Sequence, residues 1–176
     1  MPAREPVTLP DAALSAFLQS LELAVGAAYD RVLPQLSENL APIASAFQSH
    51  HQDYAARMGS HAGSAAAKGP NAMFAAVITS RLQAVVDQRS ALTLAFGLEN
   101  QLTATYEFGL TTLTSPDVIA SVAAIIPVLA GHSAVLGSAS AIPPSLVFPN
   151  GPFEANTVGD GSDLRLGLDP ALYPTG

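Results

Sequence analysis

Four ionisable side chains fall where helical periodicity places only core: Glu22, His51, Glu99 and His132, one on the apolar stripe of each of four helical segments. A charged or imidazole group facing a core is costly unless it is paired, hydrogen-bonded or bound to metal. A carboxylate-bridged di-metal centre in a four-helix bundle takes one Glu from each of two helices and a Glu-x-x-His from each of the other two. Carboxylates bridge the metals, and imidazole suits terminal positions. Here Glu22 and Glu99 fill the single-Glu positions, and His51 and His132 the His positions. The two paired Glu slots read Gln48 and Leu129 instead. The set is therefore a reduced site, either a metal site of Glu22, His51, Glu99 and His132 or a metal-free hydrogen-bonded network. Gln48 and Tyr106 read as weak or supporting partners.

The elements that must carry these groups follow from spacing. In the first helix, Leu14, Leu18, Glu22, Val25, Tyr29 and Val32 recur at three and four residues. Thr8, Pro10 and Asp11 are placed as its cap, and Pro34 as its stop. The second carries Ile43, Phe47, His51, Tyr54 and Met58, then gives way to a Gly- and Ser-rich loop. Asn71 caps a short helix over about 72–86. The third long helix carries Leu92, Ala95, Glu99, Leu102, Tyr106 and Leu110. Ser115 and Pro116 open the fourth, with Val122, Ile125, Leu129, His132 and Leu136 inward and Pro127 a kink. His50 lies about 100° round the helix from His51 and reads as surface; His61 reads as a solvated loop residue. Glu107 flanks the core, and Asp53 is placed outside it. Residues 8–138 thus make the bundle and 139–176 an extended Pro- and Gly-rich tail.

Composition narrows the classes. The chain of 176 residues is 49% hydrophobic and 12% charged, with net charge −7, against roughly 25% charged in ordinary domains. Acidity argues against nucleic acid, which needs a basic footprint. The absence of cysteine excludes disulfides and thiolate ligands. No Asp, Glu, Lys or Arg occurs from Val118 to Phe153. That stretch includes an apolar run about as long as a bilayer span. Pro127, His132 and the lack of basic or aromatic anchors favour a buried bundle helix over a membrane span. No leader pattern opens the chain, so it reads as cytoplasmic, with an exported mature form still open. No G-x-S-x-G elbow or G-K-[ST] phosphate loop is present.

The stretches LELAVGAAYDRV, FQSHHQDYAARM, KGPNAMFAAV, LENQLTATYEFGL and PVLAGHSAVLG, in this order and spacing, resemble bacterial ferritin-like domain proteins with a Pro-rich tail. The resemblance implies an all-α ferritin-like four-helix bundle with a short extra helix before the third long one. It implies iron or manganese as the metal, carried over onto Glu22, His51, Glu99 and His132, with Gln48 and Leu129 as departures. A metal-free structural or interaction protein, docking through its apolar surface and tail, is the alternative. Either version favours a homo-oligomer. The tail segment GDGSDLRLGLDP resembles the tags by which cargo docks inside encapsulin shells.

Overall fold

The computed structural model describes residues 9–143, 146, 158–159 and 166–175. Five helices make up most of them: α1 (Asp11–Val32), α2 (Ala41–Ala62), α3 (Ala72–Leu82), α4 (Gln88–Thr112) and α5 (Pro116–Ala139). α1 is the central helix, with Phe17, Leu18, Leu21 and Val25 wholly buried. It runs antiparallel to α2, with Glu22 against His51 and Gln19 against Gly59. It also runs antiparallel to α4, with Tyr29 against Glu99 and Leu14 against Gly109. α2 and α4 therefore point the same way. The connection between them, which contains α3, must return along the length of the bundle. A bundle of four long helices with one long crossover results.

Several local signals were read differently in sequence. The first described helical residue is Asp11, preceded by Pro10; Thr8 lies outside the described residues. The Asp11 carboxylate accepts from the Thr114 and Ser115 backbone N–H groups, at 3.1 and 2.5 Å. Asp11 thus caps the start of α5 from another helix, and the Ser115 hydroxyl does not. Those bonds, Ser115 foremost, hold the Asp11 pKa below its ordinary value. α2 continues through Gly59, Ser60 and His61 to Ala62. Gly59 is a contact residue here: a Cβ on it would lie 2.7 Å from the Gln19 side chain. His61 is not a loop residue, and its Nε2 lies 2.9 Å from Ser121 Oγ on α5. Asn71 does cap α3, accepting from Phe74 N at 3.1 Å. α3 ends at Leu82, ahead of the exposed Val86. Asp87 and Ser90 then form a reciprocal capping box for α4. α5 runs unbroken through Pro127.

The described part of the tail folds back on the chain's own bundle. A two-residue parallel pair joins β1 (Val158–Gly159) to β2 (Gly167–Leu168). Leu168 is wholly buried, and its N–H donates to Thr105 Oγ1 at 2.9 Å. Gly167 lies so close to α4 that a Cβ would come within 3.0 Å of the Ala104 carbonyl. The Asn71 amide donates to Tyr173 O at 2.9 Å, while the Tyr173 and Phe74 rings meet edge to face. Residues 167–170 of the tail are buried, Gly167 and Leu168 against α4. Leu168→Ala should cost about 2–5 kcal/mol, read by chemical denaturation. Gly167→Val should leave the helical signal intact and make the tail more sensitive to protease.

Candidate metal centre

Glu22, His51, Glu99 and His132 come from α1, α2, α4 and α5, at one level of the bundle. All are buried, Glu22, His51 and Glu99 completely and His132 to 3% exposure. Gly26 packs beside His51: a Cβ on it would sit 3.5 Å from the His51 Cβ, an ordinary contact. The polar atoms form one chain of hydrogen bonds. His51 Nδ1 lies 2.6 Å from Glu22 Oε2, and its Nε2 lies 2.9 Å from Glu99 Oε1. Glu99 Oε1 also accepts from the Tyr29 hydroxyl at 2.6 Å. Glu99 Oε2 lies 3.2 Å from His132 Nδ1. The other His132 nitrogen, Nε2, lies 2.9 Å from Nδ1 of His50.

The electrostatics assign the protons. Burial pushes the His51 pKa down, but the Glu99 carboxylate, together with Glu22, outweighs it and holds the value at about 10. Burial pushes Glu99 up, but His51 and His132 bring it down to about 2. His51 is therefore an imidazolium that donates from both nitrogens, as its two carboxylate contacts require. Ionised Glu99 only accepts, so His132 carries hydrogen on Nδ1, and a further hydrogen is shared between its Nε2 and His50 Nδ1. Burial first, and then Glu99, raises Tyr29 well above the ordinary tyrosine value, which keeps its hydroxyl as a donor. Tyr106 is likewise raised, by burial and then by the neighbouring Glu22. Its hydroxyl faces the Glu22 carboxylate, which also contributes a hydrogen bond to that rise, and both groups are buried.

All four sequence candidates meet in this network, but they do not occupy equivalent places in it. One ligand atom each from His51, Glu99 and His132 lie within 4.8 Å of one another, the one such group among the described residues. Glu22 stands behind His51, on the nitrogen that faces away from Glu99. Gln48 turns outward and bridges to α1, its amide donating to Gly26 O at 3.0 Å and Asp30 Oδ1 at 2.8 Å. Leu129 is wholly buried among apolar side chains. Glu107 is half-buried away from the network, its carboxyl raised by burial. His50 is the residue that sequence reasoning missed. A 100° step separates successive helical residues, yet α5 lies beside α2 on that flank and brings His132 within reach. The His50 and His132 rings meet edge to edge along that contact, their centroids 5.1 Å apart and their planes within 10°. Phe47 stacks on His132 from the core side at 3.9 Å.

The donor set fits a divalent transition metal. Two imidazoles and one carboxylate with open positions is a recognised non-haem iron arrangement. The far nitrogen of each imidazole is anchored, His51 by Glu22 and His132 by His50, as the rings of metal-binding histidines are usually held.

A family model for the ferritin-like domain matches residues 10–141. No match is found among curated proteins or among solved structures.

The network also sets a pH dependence for metal-free protein. Stabilisation by His51, whose pKa rises from 6.5 to about 10 on folding, is complete below pH 6.5 and lost as pH climbs through about 10. Stabilisation by Glu99, lowered from 4.5 to about 2, is complete above pH 4.5 and lost as pH falls through about 2. In thermal melts across pH, His51→Gln should flatten the alkaline fall of Tm.

Proposed function

The chain belongs to the ferritin-like domain family, and from that membership and this donor set we propose that it binds one transition-metal ion, iron or manganese. The ligands are His51 Nε2, a Glu99 oxygen and His132 Nδ1. The observation that carries the reading is the convergence of these three buried atoms while both far ring nitrogens are already engaged. Two supporting facts argue for one ion over a bridged pair. Leu129 brings no oxygen to the centre, and the Gln48 amide is committed to α1. An ion held by three protein ligands would supply Lewis-acid or redox chemistry at its open positions.

Each supporting residue has a task in this reading. Glu22 holds the Nδ1 hydrogen of His51, so that only Nε2 loses its proton to solvent and ligates, while His132 ligates through Nδ1 with its one hydrogen on Nε2, donating to His50. The His51 proton is held more tightly than in free imidazole, so uptake strengthens with rising pH and releases acid. Tyr29 donates to Glu99 Oε1, which limits the charge that oxygen can offer and leaves Oε2 the freer ligand. Phe47 covers one face of His132 and keeps water from the core side. Protein purified with iron or manganese supplied should hold one ion per chain by elemental analysis. Glu99→Gln and His51→Gln should abolish it. Glu22→Gln should weaken it about 10- to 100-fold. Metal content unchanged by Glu99→Gln would end the reading.

A homo-oligomer built through α5 is a second, compatible proposal. α5 is long and apolar enough to cross a membrane, as is the stretch from Asp11 to Gln35, but that stretch is mostly buried in the bundle. Only a third of the apolar α5 window is buried. Its outward residues include Ala120, Ala123, Ala124, Pro127, Ala130 and the 41% exposed Val135. In a chain of net charge −7, this uncharged face lets two copies meet without opposing like charges. Sedimentation should show a dimer that Ala124→Arg converts to monomer; a wild-type monomer would refute it.

A further inference from the structure

Five members of the hydrogen-bonded chain, Glu22, His51, Tyr29, Glu99 and His132, are buried, and the sixth, His50, is only half-buried. Its Nδ1 sits 2.9 Å from Nε2 of His132, and the two rings lie nearly parallel. His132 has its other nitrogen inside, 3.2 Å from Glu99 Oε2. One imidazole ring thus separates the half-buried His50 from the buried carboxylate. Elsewhere the centre is closed. Tyr29 and Leu98 are at most 1% exposed, Leu129 is fully buried, and Phe47 covers the inner face of His132. On the outer flank the chain is open: Gly131, next to His132, is exposed, and a Cβ on it would meet nothing within 4 Å.

From this geometry we infer that His50 and His132 form an outer cation-capture position, the port through which a divalent transition-metal ion reaches the buried His51–Glu99–His132 site. The inference rests on the metal reading above and adds the route. Two imidazole nitrogens on one ion, at metal–nitrogen distances of about 2.0–2.1 Å, stand a few tenths of an ångström further apart than His50 and His132 do. The two rings face each other edge on through these nitrogens, so a small parting in the ring plane admits an ion, with the hydrogen between them released to water. Two neutral ligands and water hold an ion weakly, as a transit position must. His132 then belongs to both positions, through Nε2 outside and Nδ1 inside. His50 is a capture ligand and takes no part in the final ligand set.

The test is stopped-flow and equilibrium binding of Co²⁺ and Zn²⁺ to the full chain, wild type against His50→Gln. Glutamine can still hydrogen-bond with His132 Nε2 but is a poor ligand for these ions. The port predicts association and dissociation rates that both fall, by about tenfold or more, with Kd and stoichiometry unchanged. The comparable cost of losing a supporting residue is 10- to 100-fold in affinity, so a structural role would appear in Kd. Unchanged rates, or a weakened Kd with an unchanged association rate, would overturn the port and leave the buried site standing. A wild-type chain that takes up neither ion would overturn the site, and the port with it. Circular dichroism of His50→Gln, expected to match wild type, separates these outcomes from misfolding.

Discussion

The imidazolium of His51, held between the carboxylates of Glu22 and Glu99, is the interaction on which the interior depends. It ties α2 to α1 on one side and to α4 on the other, with no solvent at any of the three groups. Removing three ionisable groups from water is expensive, and the mutual attraction offsets that cost only while the geometry is good. Loss of one partner of such a buried pair typically costs about 3–5 kcal/mol, because the other charge is left uncompensated. The clamp therefore penalises any slip of α1 or α4 along α2.

The clamp also explains why the centre is lopsided. Glu22 is committed to the far nitrogen of His51, so it is not a third open carboxylate toward Glu99 and His132. With Leu129 in one bridging slot and Gln48 turned to Asp30 in the other, carboxylate is concentrated in Glu99. That residue meets His51, His132 and Tyr29 at once. The same arrangement links all four helices by hydrogen bonds without metal. Two carboxylates facing one imidazolium nonetheless make the centre a favourable place for a further positive charge such as a metal ion.

The helical stripes revealed the inward set because a core-facing ionisable group stands out against apolar neighbours at three- and four-residue spacing. Glu22, His51, Glu99 and His132 were legible for that reason. Their division into ligands and support was not. Which nitrogen of His51 faces Glu22 depends on rotamer and helix rotation, and periodicity carries neither. His50 was hidden because a helical wheel describes one helix, while its partner comes from α5 on the flank. Gly59 resembled a stop and proved to be a point of close packing with Gln19. The tail's composition showed only that it lacked regular structure. The depth to which Leu168 and Tyr173 pack against α4 and α3 depends on a groove that no local pattern describes.

X-ray absorption at the metal edge of iron- or manganese-loaded protein tests the central claim most directly. It counts ligands and detects a second metal without relying on activity. The account predicts two imidazoles and a carboxylate around an isolated ion, with imidazole scattering diminished in His132→Ala. A metal–metal vector at about 3.5–4 Å, as in paired sites, or a first sphere without imidazole, would contradict it.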